Sequence, residues 1–199
     1  VTPVYKLSAS SITGRTTYGS MLAGNPAYVP PAFESIATVT VGSGGSAYVE
    51  FTSIAADWTH LQVRGLNKTT GGTGNEWLKF ELNGSASNIV ARHTLLGNGS
   101  SASAENGFTT QANWSIFGSA DDTASAFGVF VMDILDYANT NKNKTFRTLS
   151  GWDKNGSGYV ALNSNLWNST SAITSIKIIP RTNSLAQYSH FALYGIKGA

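Results

Sequence analysis

From Ile36 onward, apolar and polar residues alternate with a period of two, and short runs of Gly, Asn and Ser interrupt the alternation. Such a pattern places successive side chains on opposite faces of an extended strand. In "THLQVRGL" (59–66), Leu61 and Val63 share one face, and His60, Gln62 and Arg64 the other. In "EWLKFELNG" (76–84), Leu78, Phe80 and Leu82 oppose Trp77, Lys79 and Glu81. Further strands are predicted at 35–41, 47–54, 88–96, 113–118, 126–135, 144–152, 158–163, 173–180 and 190–196. The first two of these flank "GSGGS" and read as a hairpin. "AFGVFVMDIL" (126–135) is almost continuously apolar, as in a central strand buried on both faces or lying at a subunit contact. A 3.6-residue period is missing throughout, and only "SNLWNSTSA" (164–172) has room for a single helical turn.

Ten or eleven short strands without crossover helices predict an all-β fold, an antiparallel two-sheet jelly-roll sandwich, with a closed barrel as the alternative. Residues 1–33 differ. Pro26, Pro30 and Pro31 remove backbone donors and press their neighbours toward extended conformations. Tyr5, Leu7, Met21, Leu22, Tyr28, Val29 and Phe33 make this stretch too apolar for a solvated tail. The expected organisation is an extended N-terminal anchoring arm at 1–33 and a β-sandwich domain at 34–199.

Composition agrees with strands and turns: 12% of residues are charged, 21 are glycine, and there is no cysteine, hence no disulfide or thiolate site. The formal charge of +2 is scattered, without the basic stripe that binds nucleic acid. No apolar run has the length of a membrane span, and no signal-peptide pattern opens the chain, so it reads as a soluble protein without membrane insertion.

Chemistry is sparse. His60, His93 and His190 each fall in a predicted strand, without zinc-ligand spacing. Asp133 and Asp136 are three apart, which on a strand turns them to opposite faces rather than toward one scissile bond. Asp121-Asp122 reads as a solvated turn. "SGWDKNGSGYVALNS" (150–164) opens like a calcium loop, with Asp153, Asn155, Ser157 and Gly158 in the first six positions. Position twelve is Ser164 rather than a bidentate Glu, and the flanks are strands, so a β-hairpin tip is expected instead of a metal site. Neither a metal nor another cofactor, and no catalytic residue, is predicted. Trp152, Asp153, Asn155 and Trp167 form the candidate surface, because flat aromatic faces beside amide and carboxylate groups suit stacking on sugar rings.

The stretches "SMLAGNPAYVPPAFESIATVTVGSGGSAYVEFTSI", "THLQVRG", "DILDYANTNKNKTFRTLSG" and the ending "ITSIKIIP...FALYGIKGA" resemble jelly-roll virion proteins of tailed bacteriophages, of the tail-fibre and capsid-decoration type. The resemblance covers most of the chain and carries no catalytic motif. It implies a non-enzymatic virion protein assembled in the host bacterial cytoplasm, bound to capsid or tail proteins. A homo-oligomer, as a trimer, is expected, with host attachment as a further role. A freestanding carbohydrate-binding module, recognising a host surface glycan, is the alternative.

Overall fold

The computed structural model describes residues 32–72, 75–108, 114–119, 125–154 and 156–198. Tyr5, Leu7, Met21, Leu22, Tyr28 and Val29 of the expected arm, the pair Asp121-Asp122, and Asn155 lie outside the described residues. Among the described residues there is no helix. The strands are β1 (Phe33–Thr40), β2 (Val49–Phe51), β3 (His60–Asn67), β4 (Asn75–Leu82), β5 (Ile89–Gly97), β6 (Ala102–Phe108), β7 (Trp114–Ser119), β8 (Gly128–Ile134), β9 (Lys144–Asp153), β10 (Gly158–Trp167), β11 (Ile176–Pro180) and β12 (His190–Ile196).

They form two antiparallel sheets packed as a sandwich: eight strands in the order β1-β12-β3-β8-β9-β10-β5-β6, and four in the order β2-β11-β4-β7. The core lies between them. Leu61, Val63, Phe130, Met132, Ile134 and Phe146 from the large sheet meet Val49, Phe51, Leu78, Phe80, Leu82, Ile176 and Ile178 from the small one. The period-two patterns around Leu61 and Leu78 are therefore core-facing as the sequence predicts. Each such burial contributes roughly 1.5–3 kcal/mol.

Four expectations change. Residues 35–54 are not a hairpin: β1 pairs with β12 and β2 with β11, so the "GSGGS" turn carries the chain from one sheet to the other. Gly44 and Gly45 take positive φ there, at 93° and 76°. The stretch 164–172 holds no helical turn, because β10 pairs with β9 without interruption as far as Trp167. β6, "ASAENGF", is not among the predicted strands; it carries too few large apolar residues to read as one, and among the described residues it pairs with β5 alone. β8 is interior, between β3 and β9, but is buried on one face only, since Val129 keeps 54% of its surface exposed.

Phe33 opens β1 instead of ending an arm: it pairs with Ile196, and its ring stacks on Tyr194 at 4.8 Å. The Lys197 N–H donates to the Ala32 carbonyl, so the two ends of the sandwich meet.

The loop that follows β8 is fixed by Lys144. Its ammonium, on a residue only 1% exposed, donates to the carbonyls of Asn139 (2.5 Å), Thr170 (2.7 Å) and Ser171 (2.7 Å), with that of Lys142 at 3.2 Å. The Trp167 ring lies 5.6 Å away. One buried cation thus ties the 139–142 turn to the segment leading into β11 and satisfies carbonyls that no strand pairs.

Candidate functional site

Strand pairing orders the outer face of the large sheet into tiers, since directly paired residues point the same way. One tier runs Leu66, Val129, Gly151, Val160, Gly97, Ala102 from β3 to β6. The next runs Arg64, Val131, Leu149, Leu162, Leu95, Ala104. The third is polar: Gln62, Asp133, Arg147, Ser164, His93, Asn106. In the apolar tiers Leu95 is 62% exposed, Val129, Leu149 and Val160 54% each, and Leu162 46%. Scattered exposed leucines are ordinary, whereas a contiguous patch of them with a polar border marks an interaction surface.

The inner face explains why these residues point outward. Behind them the buried positions are Thr148 and Ser150 on β9, Asn163 and Asn165 on β10, and Arg92 and Thr94 on β5. Thr94 Oγ1 donates to Asn163 Oδ1 (2.5 Å). The Arg92 guanidinium lies 4.8 Å from the Trp77 ring and 3.7 Å from the Glu105 carboxylate. Burial pulls the pKa of Arg92 down, and Glu105 opposes the shift. The usual polarity is thus inverted in the middle of these strands, where Thr148, Ser150, Asn163 and Thr94 lie inside and Leu149, Val160, Leu162 and Leu95 outside, while Phe146, Trp152 and Trp167 still face inward at the strand ends. A one-residue slip would exchange the two faces of a strand. Here β9 is held in register by Phe146 in the core, and β10 and β5 follow from its pairing.

The predicted hairpin tip is present: Gly158 pairs with Asp153, the Lys154 N–H donates to the Ser157 carbonyl (3.0 Å), and Gly156 takes φ 112°. Strands flank it on both sides, as the missing twelfth ligand required. Trp152 and Trp167 do not converge. Trp152 is 6% exposed and packs inward against Ala161, Trp77, Leu96 and Tyr159. Trp167 is 2% exposed at the other end of the hairpin, paired with Lys144. From Tyr159, the partner of Trp152, to Trp167 the strand runs roughly 27 Å. Neither indole offers a stacking face, and of the four residues only Asp153 is both described and exposed. Beside the tip lies an open depression of about 620 Å³, lined by Asn98, Phe127, Val129, Asp153, Ser157 and Tyr159 among others.

The titratable groups are held by partners that suit structure. Asp133 accepts from Gln62 Nε2 (2.7 Å) on the outer face. Asp136 lies beyond the end of β8, in a turn at φ 50°. Its separation from Asp133 thus comes from the end of the strand, not from alternation along it. The Lys142 ammonium donates to the Asp136 carboxylate, the main cause of its lowered pKa. His60 Nδ1 accepts the Asp136 N–H (3.0 Å), which holds the imidazole in the tautomer protonated at Nε2. His190 Nδ1 is 2.8 Å from Thr40 Oγ1. Burial raises the Tyr137 phenol, whose hydroxyl donates to the Ala55 carbonyl. Among the described residues no three His, Asp or Glu side chains gather as a metal would need.

Compared with protein-family models, with curated proteins and with solved structures, the chain matches none.

Proposed function

We propose that this protein is a non-enzymatic structural component of a bacteriophage particle, a jelly-roll module displayed on the capsid or tail as a decoration or fibre element. The strand order carries the reading. β1-β12-β3-β8 lies against β2-β11-β4-β7, with the chain passing from sheet to sheet between the strands of this eight-stranded set. Such an order is compatible with the winding of a jelly roll, a fold used in viral shells, and supports that reading. The hairpins β5-β6 and β9-β10 are then additions that widen one sheet. This supports the resemblance seen in the sequence, and the exposed aliphatic tiers supply a surface for assembly with itself or with neighbouring virion proteins.

In this reading residues 1–31 anchor the module, and β1, an edge strand, is where they join it. Deleting 1–31 is expected to leave the sandwich folded by circular dichroism while abolishing incorporation into particles. Undiminished incorporation would sink the anchoring role. A density map of intact particles that lacks the protein would sink the virion reading altogether.

The depression beside the hairpin tip favours a second reading, attachment to a host surface glycan. Asn98, Asp153 and Ser157 offer polar groups there, and Phe127 and Tyr159 also line it. Binding on a glycan array that is lost in Tyr159→Ala supports it; an array without signal removes it.

A further inference from the structure

We infer that the apolar outer face of the large sheet is a two-fold contact surface that takes a second copy of this chain, face to face. The proposal deepens the reading above and rests on the module being an assembling one. β9 and β10 lie at the centre of the patch, with β8 and β3 on one side and β5 and β6 on the other. From β3 to β6, and along β9 from Arg147 to Asp153, the face measures about 25 by 20 Å in plan. With its side chains this approaches the roughly 800 Å² per partner that a stable dimer buries. Two sheet faces pack well at about 10 Å when their side chains interdigitate.

The sequence supplies that interdigitation. Glycine alternates with large residues inside the apolar tiers: Gly151 and Gly97 flank Val160 in one, while Leu149 and Leu95 stand two residues from those glycines on the same strands. A two-fold axis lying in the plane of the face, between the apolar tiers, exchanges those positions. It sets Leu149 over Gly151 of the second copy and Leu95 over Gly97. The same operation sets Arg147, in the polar tier, over Asp153 at the hairpin tip. On β9 and β5 knobs therefore meet gaps, on β8 and β10 Val129 and Val160 meet Val131 and Leu162 as aliphatic pairs, and Arg147 meets Asp153, each contact made twice as an isologous interface requires. A two-fold of this kind closes with two copies, not with the three expected from the sequence.

The match is of the face with itself, and a second copy of this chain supplies it.

The test is sedimentation equilibrium of the full chain, with circular dichroism as the check on folding. The wild type is expected at twice the chain mass of 21.0 kDa. Leu149→Lys should be monomeric, and Arg147→Asp should weaken pairing at least about tenfold. Arg147→Asp combined with Asp153→Arg should restore it, since the exchanged charges again face each other across the axis. A wild type that stays monomeric at tens of micromolar overturns the proposal, as does a trimer indifferent to Leu149→Lys or a double variant no better than Arg147→Asp. Incorporation into particles is scored separately. A Leu149→Lys monomer that still joins particles leaves the virion reading standing, and a dimer absent from particles leaves the pairing standing.

Discussion

The ring of Phe80 on β4 meets the ring of Phe146 on β9 edge to face, with centroids 4.8 Å apart and planes inclined at 85°. This contact joins the two sheets where both side chains are sealed from water. It also fixes the register of β9, and through it which side of the widened sheet is apolar. Phe80→Ala is expected to cost about 3–5 kcal/mol in urea denaturation. Phe80→Leu should cost markedly less, because more of the volume is retained. A loss under about 1 kcal/mol for the alanine variant would show that the sheets are held elsewhere.

Gly65 on β3 lies beneath the Phe130 ring of β8, and a methyl group there would overlap that ring. Both positions belong to the packed interior, where Phe130 also tilts against Phe191 at 6.1 Å. Gly65→Ala should lower stability by about 1–3 kcal/mol through overpacking. Adding Phe130→Leu should recover part of that loss. A double-mutant cycle with no coupling between the two sites would contradict the contact.

Lys144 offers a different kind of test, since its ammonium serves several carbonyls at once. Lys144→Met keeps an unbranched side chain and removes the donor that these carbonyls share. The expected loss is about 2–4 kcal/mol. Hydrogen exchange should then quicken between residues 139 and 143 and before β11, while the β3 and β8 amides stay protected. Uniform acceleration would mean that the lysine supports the whole fold and not the loop.

The Asp136 carboxyl lies below its ordinary value of 3.8, chiefly because Lys142 donates to it. As pH falls, the unfolded chain therefore takes up this proton first. The carboxylate's contribution is complete above 3.8 and is lost as pH drops through the lower folded value. Lys142→Ala should move the Asp136 titration midpoint upward in carboxyl-detected NMR. With the pair largely solvated, the accompanying change in stability should stay within about 1 kcal/mol. An unmoved midpoint would remove Lys142 as the cause.

Local alternation was enough to identify β3 and β4, because Leu61, Val63, Leu78, Phe80 and Leu82 obey the rule that apolar residues face inward. The same rule fails on β9 and β10. There "RTLSG" and "VALN" bury Thr148, Ser150 and Asn163 and expose Leu149, Val160 and Leu162. On β9 the direction is set by Phe146 and Trp152, which share the buried phase of Thr148 and Ser150 and outweigh the single Leu149, and β10 inherits it by pairing. The assignment of β1 and β2 to separate sheets was equally hidden, because a glycine turn between two strands looks alike whether they pair or part. Trp152 and Trp167 misled for a related reason: both occupy inward positions on neighbouring strands, where an indole packs and does not bind. The hairpin tip between Asp153 and Gly158 was legible because turn residues act locally.

β12 is the last strand of the domain in sequence, yet it lies between β1 and β3. The small sheet has all its strands once residue 180 is made, while the large one stays divided until residue 196 follows. Before β12 is in place, β1 has no partner among the described strands, and one side of β3 lies open. Exposed edges of this kind invite pairing with other chains. A chain cut before His190 would keep both edges open and is thus exposed to edge pairing with other copies.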